Sequence, residues 1–183
     1  MRPVRSTRWF ITVMALTCLM TACERGRSMA ELTTFQTAQT RSVEYLTEIL
    51  RLMPPGTYLS TRYPGAPTDS GFVATTLTCD DNASDSSGPK NLGTTYWVVG
   101  VERAEANRVV NAVGDSWEKG GLRRVDRRPE GAFLDIYATT PDDYRLVVGH
   151  NAQNEVSVSV SSPCFPRPSA DEKPHLPDRI DHP

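Results

Sequence analysis

A chain of 183 residues with 38 % hydrophobic and 8 % aromatic residues has enough apolar material for one ordinary core. Its 20 basic and 22 acidic side chains leave a formal charge of −2, so no basic surface is on offer to nucleic acid, whose phosphates reward one. No internal repeat occurs and no second long apolar run follows the N-terminal one, which argues against repeat architectures and multi-span membrane proteins.

Arg2, Arg5 and Arg8 make the N-terminus positive, and Trp9 to Met20 follows as a nearly uncharged apolar run. A bilayer core needs roughly 20 apolar residues, so this shorter run reads as a secretory signal peptide. Two small residues, Thr21 and Ala22, then precede Cys23. The stretch Leu19-Met20-Thr21-Ala22-Cys23 resembles the lipobox of bacterial lipoproteins. It departs from that pattern at one position: the third residue before the cysteine is usually Leu and is here Met20, with Leu19 one step further back. The resemblance implies cleavage before Cys23, a diacylglycerol thioether on its sulfur and acylation of its amine. The alternative is an ordinary signal peptide cut near Ala22, leaving Cys23 as a free thiol.

Residues 1–22 form the predicted leader and residues 23–27 a lipidated cysteine with a short tether. The leader holds three arginines and no acid. The remaining 161 residues therefore carry 17 basic and 22 acidic side chains, a formal charge of −5. Cys18 leaves with the leader and Cys23 would be acylated, so Cys79 and Cys164 remain. An even pair in an oxidising compartment reads as a disulfide, the alternative being two buried thiols. The wide spacing does not suit C-x-x-C redox chemistry, and the three histidines are too scattered to complete a zinc site.

A single α+β domain is predicted over residues 28–164. Ser28-Met29-Ala30-Glu31 has the form of a capping box, opening a helix that runs to Met53. Leu32, Phe35, Val43, Leu46, Ile49, Leu50 and Met53 share its apolar face, and Pro54-Pro55-Gly56 stops it. A short strand near 57–62 and a β-prone run from Val73 to Cys79 come next, then a polar loop from Asp80 to Gly93. Thr94 to Val101 reads as a central strand. A second helix, about 103–119, carries the stripe Ala106, Val109, Val110, Val113 and Trp117, and Gly120-Gly121 ends it. Four strand-like runs follow, at 122–128, 132–139, 144–149 and 155–162. In the last of them Val156, Val158 and Val160 alternate with serines, as in a strand with one buried face. This order predicts a two-layer α+β sandwich, both helices packed on one face of a mainly antiparallel sheet. From Phe165 to Pro183 the chain turns to proline, charge and histidine and reads as a disordered tail.

Short matches to catalytic motifs fail on context. Gly114-Asp115-Ser116 matches the nucleophile motif of a lipase family but lies near the end of a helix, away from the strand-to-helix turn such a serine needs. Ser116-Trp117-Glu118-Lys119 has the S-x-x-K spacing of penicillin-binding enzymes without their Ser-Asp-Asn and Lys-Thr-Gly partners. Asp80-Asp81-Asn82-Ala83-Ser84-Asp85 gathers oxygen ligands as a calcium loop does. An EF-hand loop, however, wants Gly where Asp85 stands and Glu where Asn91 stands. The Asn82-Ala83-Ser84 triplet would be a glycan acceptor only in a eukaryote. His150 reads as a surface histidine at a strand end. No catalytic residue, metal ligand or cofactor is expected, and no ligand-binding residue can be assigned.

A lipobox, an N-terminal helix, a strand ending in Cys79-Asp80, a helix closing with Trp117, a strand meander and a terminal Cys164 occur together. This layout resembles the small secreted lipoproteins of mycobacteria and related actinobacteria, of the LppJ kind. The resemblance covers most of the chain beyond Cys23 and rests on architecture and two cysteines. It implies a lipid-anchored envelope protein at the outer face of the cytoplasmic membrane, and no catalytic residue comes with it. The expected function is a binding or structural module without catalysis. Its partners would be the membrane, through the anchor, and an envelope protein or ligand that the sequence does not identify. The rival expectation is a carrier of lipid or another apolar ligand, which needs an enclosed cavity between the helices and the sheet.

Overall fold

The computed structural model describes residues 33–65, 71–79, 87–168 and 172–183. The leader, Cys23, the tether, the Ser28 capping box, Leu32 and the Asp80–Asp85 cluster lie outside the described residues.

Helix α1 (Phe35–Arg51) starts later than the capping box predicts. Thr33 and Thr34 are not helical, and the Thr34 hydroxyl caps the helix by accepting from the Thr37 N–H at 3.1 Å. Its buried face consists of Phe35, Ala38, Ser42, Tyr45, Leu46, Ile49 and Leu50, and Val43 sits at the half-buried margin. Helix α2 (Ala106–Lys119), preceded by a 3₁₀ turn at Arg103–Glu105, buries all five residues of its predicted stripe, with Gly114 beside them. Gly121 follows its end at φ 73°, a conformation that costs glycine nothing.

Among the described residues eight strands form one antiparallel sheet: β1 (Tyr58–Ser60), β2 (Thr75–Thr78), β3 (Lys90–Val99), β4 (Arg123–Glu130), β5 (Phe133–Thr139), β6 (Arg145–His150), β7 (Val156–Ser161) and β8 (Arg179–Asp181). The order is β4-β5-β6-β7-β3-β1-β8, and β2 pairs with β3 beyond the end of β1. The central strand is longer than predicted. It begins at Lys90, inside the stretch expected to be loop, because residues 90–93 find a partner in β2.

Alternation places one face of the sheet under the helices. Ile136, Val148, Val158 and Tyr96 lie side by side across β5, β6, β7 and β3, as the strand registers require. Leu46, Ile49, Leu50, Val110 and Val113 of the helices join the same buried cluster. The opposite face carries Ser157, Ser159, Ser161 and Thr95, with a 2.8 Å hydrogen bond between the hydroxyls of Thr95 and Ser159. This is the predicted α+β sandwich, an open sheet with two helices on one face.

The C-terminal residues overturn the expectation of a disordered tail. Residues 162–165 prolong β7 along β3: Lys90 and Phe165 exchange backbone hydrogen bonds of 2.9 and 2.8 Å. Phe165 is fully buried and its ring lies 5.6 Å from that of Phe35. Further on, the Tyr96 hydroxyl donates to the Pro177 carbonyl at 2.6 Å, the Gln39 side chain accepts from the His175 N–H, and β8 pairs with β1. Proline lacks an N–H and keeps the chain extended, which suits a strap that needs few backbone donors. One apolar side chain in the right place, Ile180 packed on the core, serves where a periodic pattern is missing.

Candidate functional site

Two sequence-predicted residues are brought together. Cys79, just past β2, is joined to Cys164, just past β7, with Cα atoms 6.2 Å apart, inside the usual range for a disulfide. Both flank the start of β3: Cys79 N–H donates to the Pro89 carbonyl, while the neighbouring Phe165 pairs with Lys90 on the other side. The bridge thus clasps the strands on either side of β3.

The other candidates stay apart. Ser116 lies half-buried on α2, beside a shallow groove of about 260 Å³ between the helices. Ile49, Leu52, Trp117, Leu122 and Leu146 give that groove its apolar walls. His150 is buried at 6 % exposure, correcting the expectation of a surface histidine. Counting by twos from Leu146 through Val148 turns residue 150 toward the helices. Its Nδ1 lies 3.2 Å from the Asn151 carbonyl, and its Nε2 is buried with no hydrogen-bond partner among the described residues.

A polar cluster fastens α1 to the turn between β5 and β6. The Tyr45 hydroxyl donates to Asp142 at 2.5 Å, Thr140 donates to the same carboxylate at 2.6 Å, and Arg41 lies 3.2 Å from its other oxygen. Burial opposes ionisation of Asp142, but these hydrogen bonds from Thr140, Tyr45 and Arg41 outweigh it and hold its pKa below the ordinary carboxylate value. Burial, with the Asp142 hydrogen bond and charge, pushes the Tyr45 phenol up. Burial first and the Asp142 charge second push Tyr144 up to about 12. The cluster keeps its phenols neutral and its carboxylate ionised, which suits a fastening more than proton transfer near neutrality.

Space for a ligand lies at the margins of the helix layer. A cleft of about 340 Å³ opens beneath the strap, between Pro174 and Leu176 on one side and Arg62, Phe72 and Val73 on the other. Another runs along the outer side of α1 past Gln39, Val43 and His175. Between helices and sheet, Leu46, Ile49, Leu50, Tyr96, Val110, Val113, Ile136, Val148 and Val158 are each 1 % exposed or less. Among the described residues no group of three or more His, Cys, Asp or Glu side chains is placed to hold a metal ion, and no helix is long and apolar enough to cross a membrane.

No protein-family model and no curated protein matches the chain. Among solved structures it is similar to a crystal structure of LppA from Mycobacterium tuberculosis, named there as a candidate lipoprotein. The match covers 72 % of this chain and 78 % of that one, at 13 % identity and a TM-score of 0.43. A likeness at that level supports no inference about shared function.

Proposed function

We propose that this chain is an exported lipoprotein, tethered by acyl groups on Cys23 to the outer face of the cytoplasmic membrane. Its folded domain would act there as a binding or structural module, without catalysis. The observation that carries the reading is the stretch Leu19-Met20-Thr21-Ala22-Cys23 behind a positive, apolar leader. The Cys79–Cys164 bridge supports it, since such bonds persist in compartments outside the reducing cytosol. The carrier reading would need a cavity between helices and sheet, and side chains fill that layer. Binding at the surface, in the marginal clefts or along the sheet, agrees better with this packing.

Intact-mass analysis of the membrane fraction tests the anchor. The expected product begins at Cys23, lacks residues 1–22 and carries the mass of a diacylglycerol adduct. Cys23→Ser should release the chain unmodified. A wild-type chain that is equally soluble and unmodified would overturn the reading. Ser116→Ala, a change at the one motif-like serine, should leave the phenotype of a deletion strain fully complemented.

A further inference from the structure

We infer that a lipid bilayer surface covers the corner of the sheet where β2 meets the start of β3, with Val73 and Leu77 as the side chains that enter it. This placement rests on the anchor proposed at Cys23 and adds which corner of the domain faces the membrane. Helix α1 begins over that corner. Phe35, its first residue, packs with Ala38, Leu92 and Phe165, and Ala74 lies against the same cluster. Phe165 exchanges backbone hydrogen bonds with Lys90, the first residue of β3, and Leu77 is in register with the next one, Asn91. The chain that leads back to Cys23 therefore joins the domain beside β2.

Chain length keeps this corner close to the anchor. Ten peptide units separate Cys23 from Thr33. Fully extended they span at most about 35 Å, and as a flexible coil they average about 18 Å. The large apolar side chains exposed among the described residues are Leu52, Val73, Leu77 and Phe133. Val73 at 78 % and Leu77 at 59 % are the most exposed of them, and both stand at the anchored corner. Leu52 lies at the opposite end of α1, about 26 Å along the helix from Phe35. Phe133 precedes Leu134, which pairs with His150 and through it with Val156, beyond the Trp97↔Ser157 pair at the far end of β3.

Scattered surface aliphatics are ordinary, but two of them beside a point of lipid attachment are placed to meet the acyl boundary. No charged residue stands between Val73 and Thr78 to oppose that contact. Val73 also borders the cleft beneath the strap and keeps its exposure there. The acyl groups hold the chain to the bilayer, so the pair has only to orient the domain on it. Asp80, Asp81 and Asp85 follow β2 in the sequence. A zwitterionic bilayer, which does not repel carboxylates, therefore suits this corner better than an anionic one.

The test uses the full chain, isolated from membranes in detergent and reconstituted into phosphatidylcholine vesicles. Val73→Cys, Leu77→Cys, Leu52→Cys and Phe133→Cys each carry an environment-sensitive fluorophore, with identically treated wild type as the labelling background. Peptide mapping of the native Cys79–Cys164 bond and the melting temperature establish that each variant is folded. In vesicles of lipid brominated high on the acyl chains, the labels at 73 and 77 should shift to the blue and lose most of their emission. Those at 52 and 133 should keep theirs. Adding Leu77→Lys to Val73→Cys should leave the chain on the vesicles and restore most of the lost emission. If the chain floats with the vesicles but the labels at 73 and 77 are quenched no more than those at 52 and 133, the inference falls while the anchor stands. A blue shift without quenching would also overturn it, by assigning the corner to a protein partner. A chain that carries no diacylglycerol and does not float would remove the anchor, and this placement with it.

Discussion

Two edge strands of the sheet, β4 and β2, are finished in opposite ways. At one end β4 carries Arg123, Asp126, Arg127, Arg128 and Glu130, with Pro129 in the strand itself, where only an edge tolerates it. Arg127 reaches α2, 2.6 Å from Asp115 and 3.1 Å from Glu118, with a 2.9 Å hydrogen bond to Asn111. The other edge strand, β2, lies off the main strand order; it is short and uncharged, and the disulfide clasps it to the strand beyond β3. Charge can shield an edge while side-chain contacts hold it. A covalent clasp can hold an edge while leaving it bare. The second arrangement keeps a short, uncharged edge in place.

Breaking the clasp is expected to have the largest effect. Cys79→Ser, Cys164→Ser and the double variant should each lose about 4–5 kcal/mol in the chain-entropy account, since one bond closing 85 residues disappears in every case. Calorimetry checks the equality, and effects of the single variants that simply add would refute it. Hydrogen exchange sharpens the comparison: reduction should speed exchange in residues 75–79 and 90–92 well before residues 123–139 respond.

On the charged side, Gly149→Ala should cost about 1–3 kcal/mol through overpacking. A Cβ there would stand 2.7 Å from the Leu134 carbonyl oxygen and would also meet the Asp135 carboxylate, and the backbone cannot swing away as a side chain can. Chemical denaturation measures the loss. Exchange near β2 should be little changed if the two ends are held independently.

The smallest expected effect concerns pH. The folded pKa of Asp142 lies below the ordinary carboxylate value. Its contribution is therefore present above the unfolded pKa and fades as pH falls through the folded one. Asp142→Asn should flatten that part of the acid-unfolding curve, below about pH 4, and leave the curve near neutrality with the same slope.

How much of this was legible in the residues depends on how each element is held. The α2 stripe was readable because five apolar residues at helical spacing all face the core, and the meander because Val156, Val158 and Val160 alternate with serine. The face of α1 was blurred by Ala38 and Ser42, small or polar residues that the packing nevertheless buries, and its cap by a plausible box six residues too early. His150 could have been placed by counting from Leu146. The strap had no periodic signal, since single contacts such as Tyr96 to Pro177 hold it. The disulfide was visible once two cysteines were assigned to the leader and anchor. The open edge of β2 was not, because strand order in a sheet is a property of the whole fold.

Pairing of β8 with β1 also bears on the order in which the sheet is completed. Residues 179–181 come far along the chain from their partners 58–60. Synthesis from the N-terminus delivers β1 long before β8, and contacts so distant in sequence form slowly. That side of the sheet therefore waits for residues 179–181, and β1 keeps an unpaired edge until they arrive.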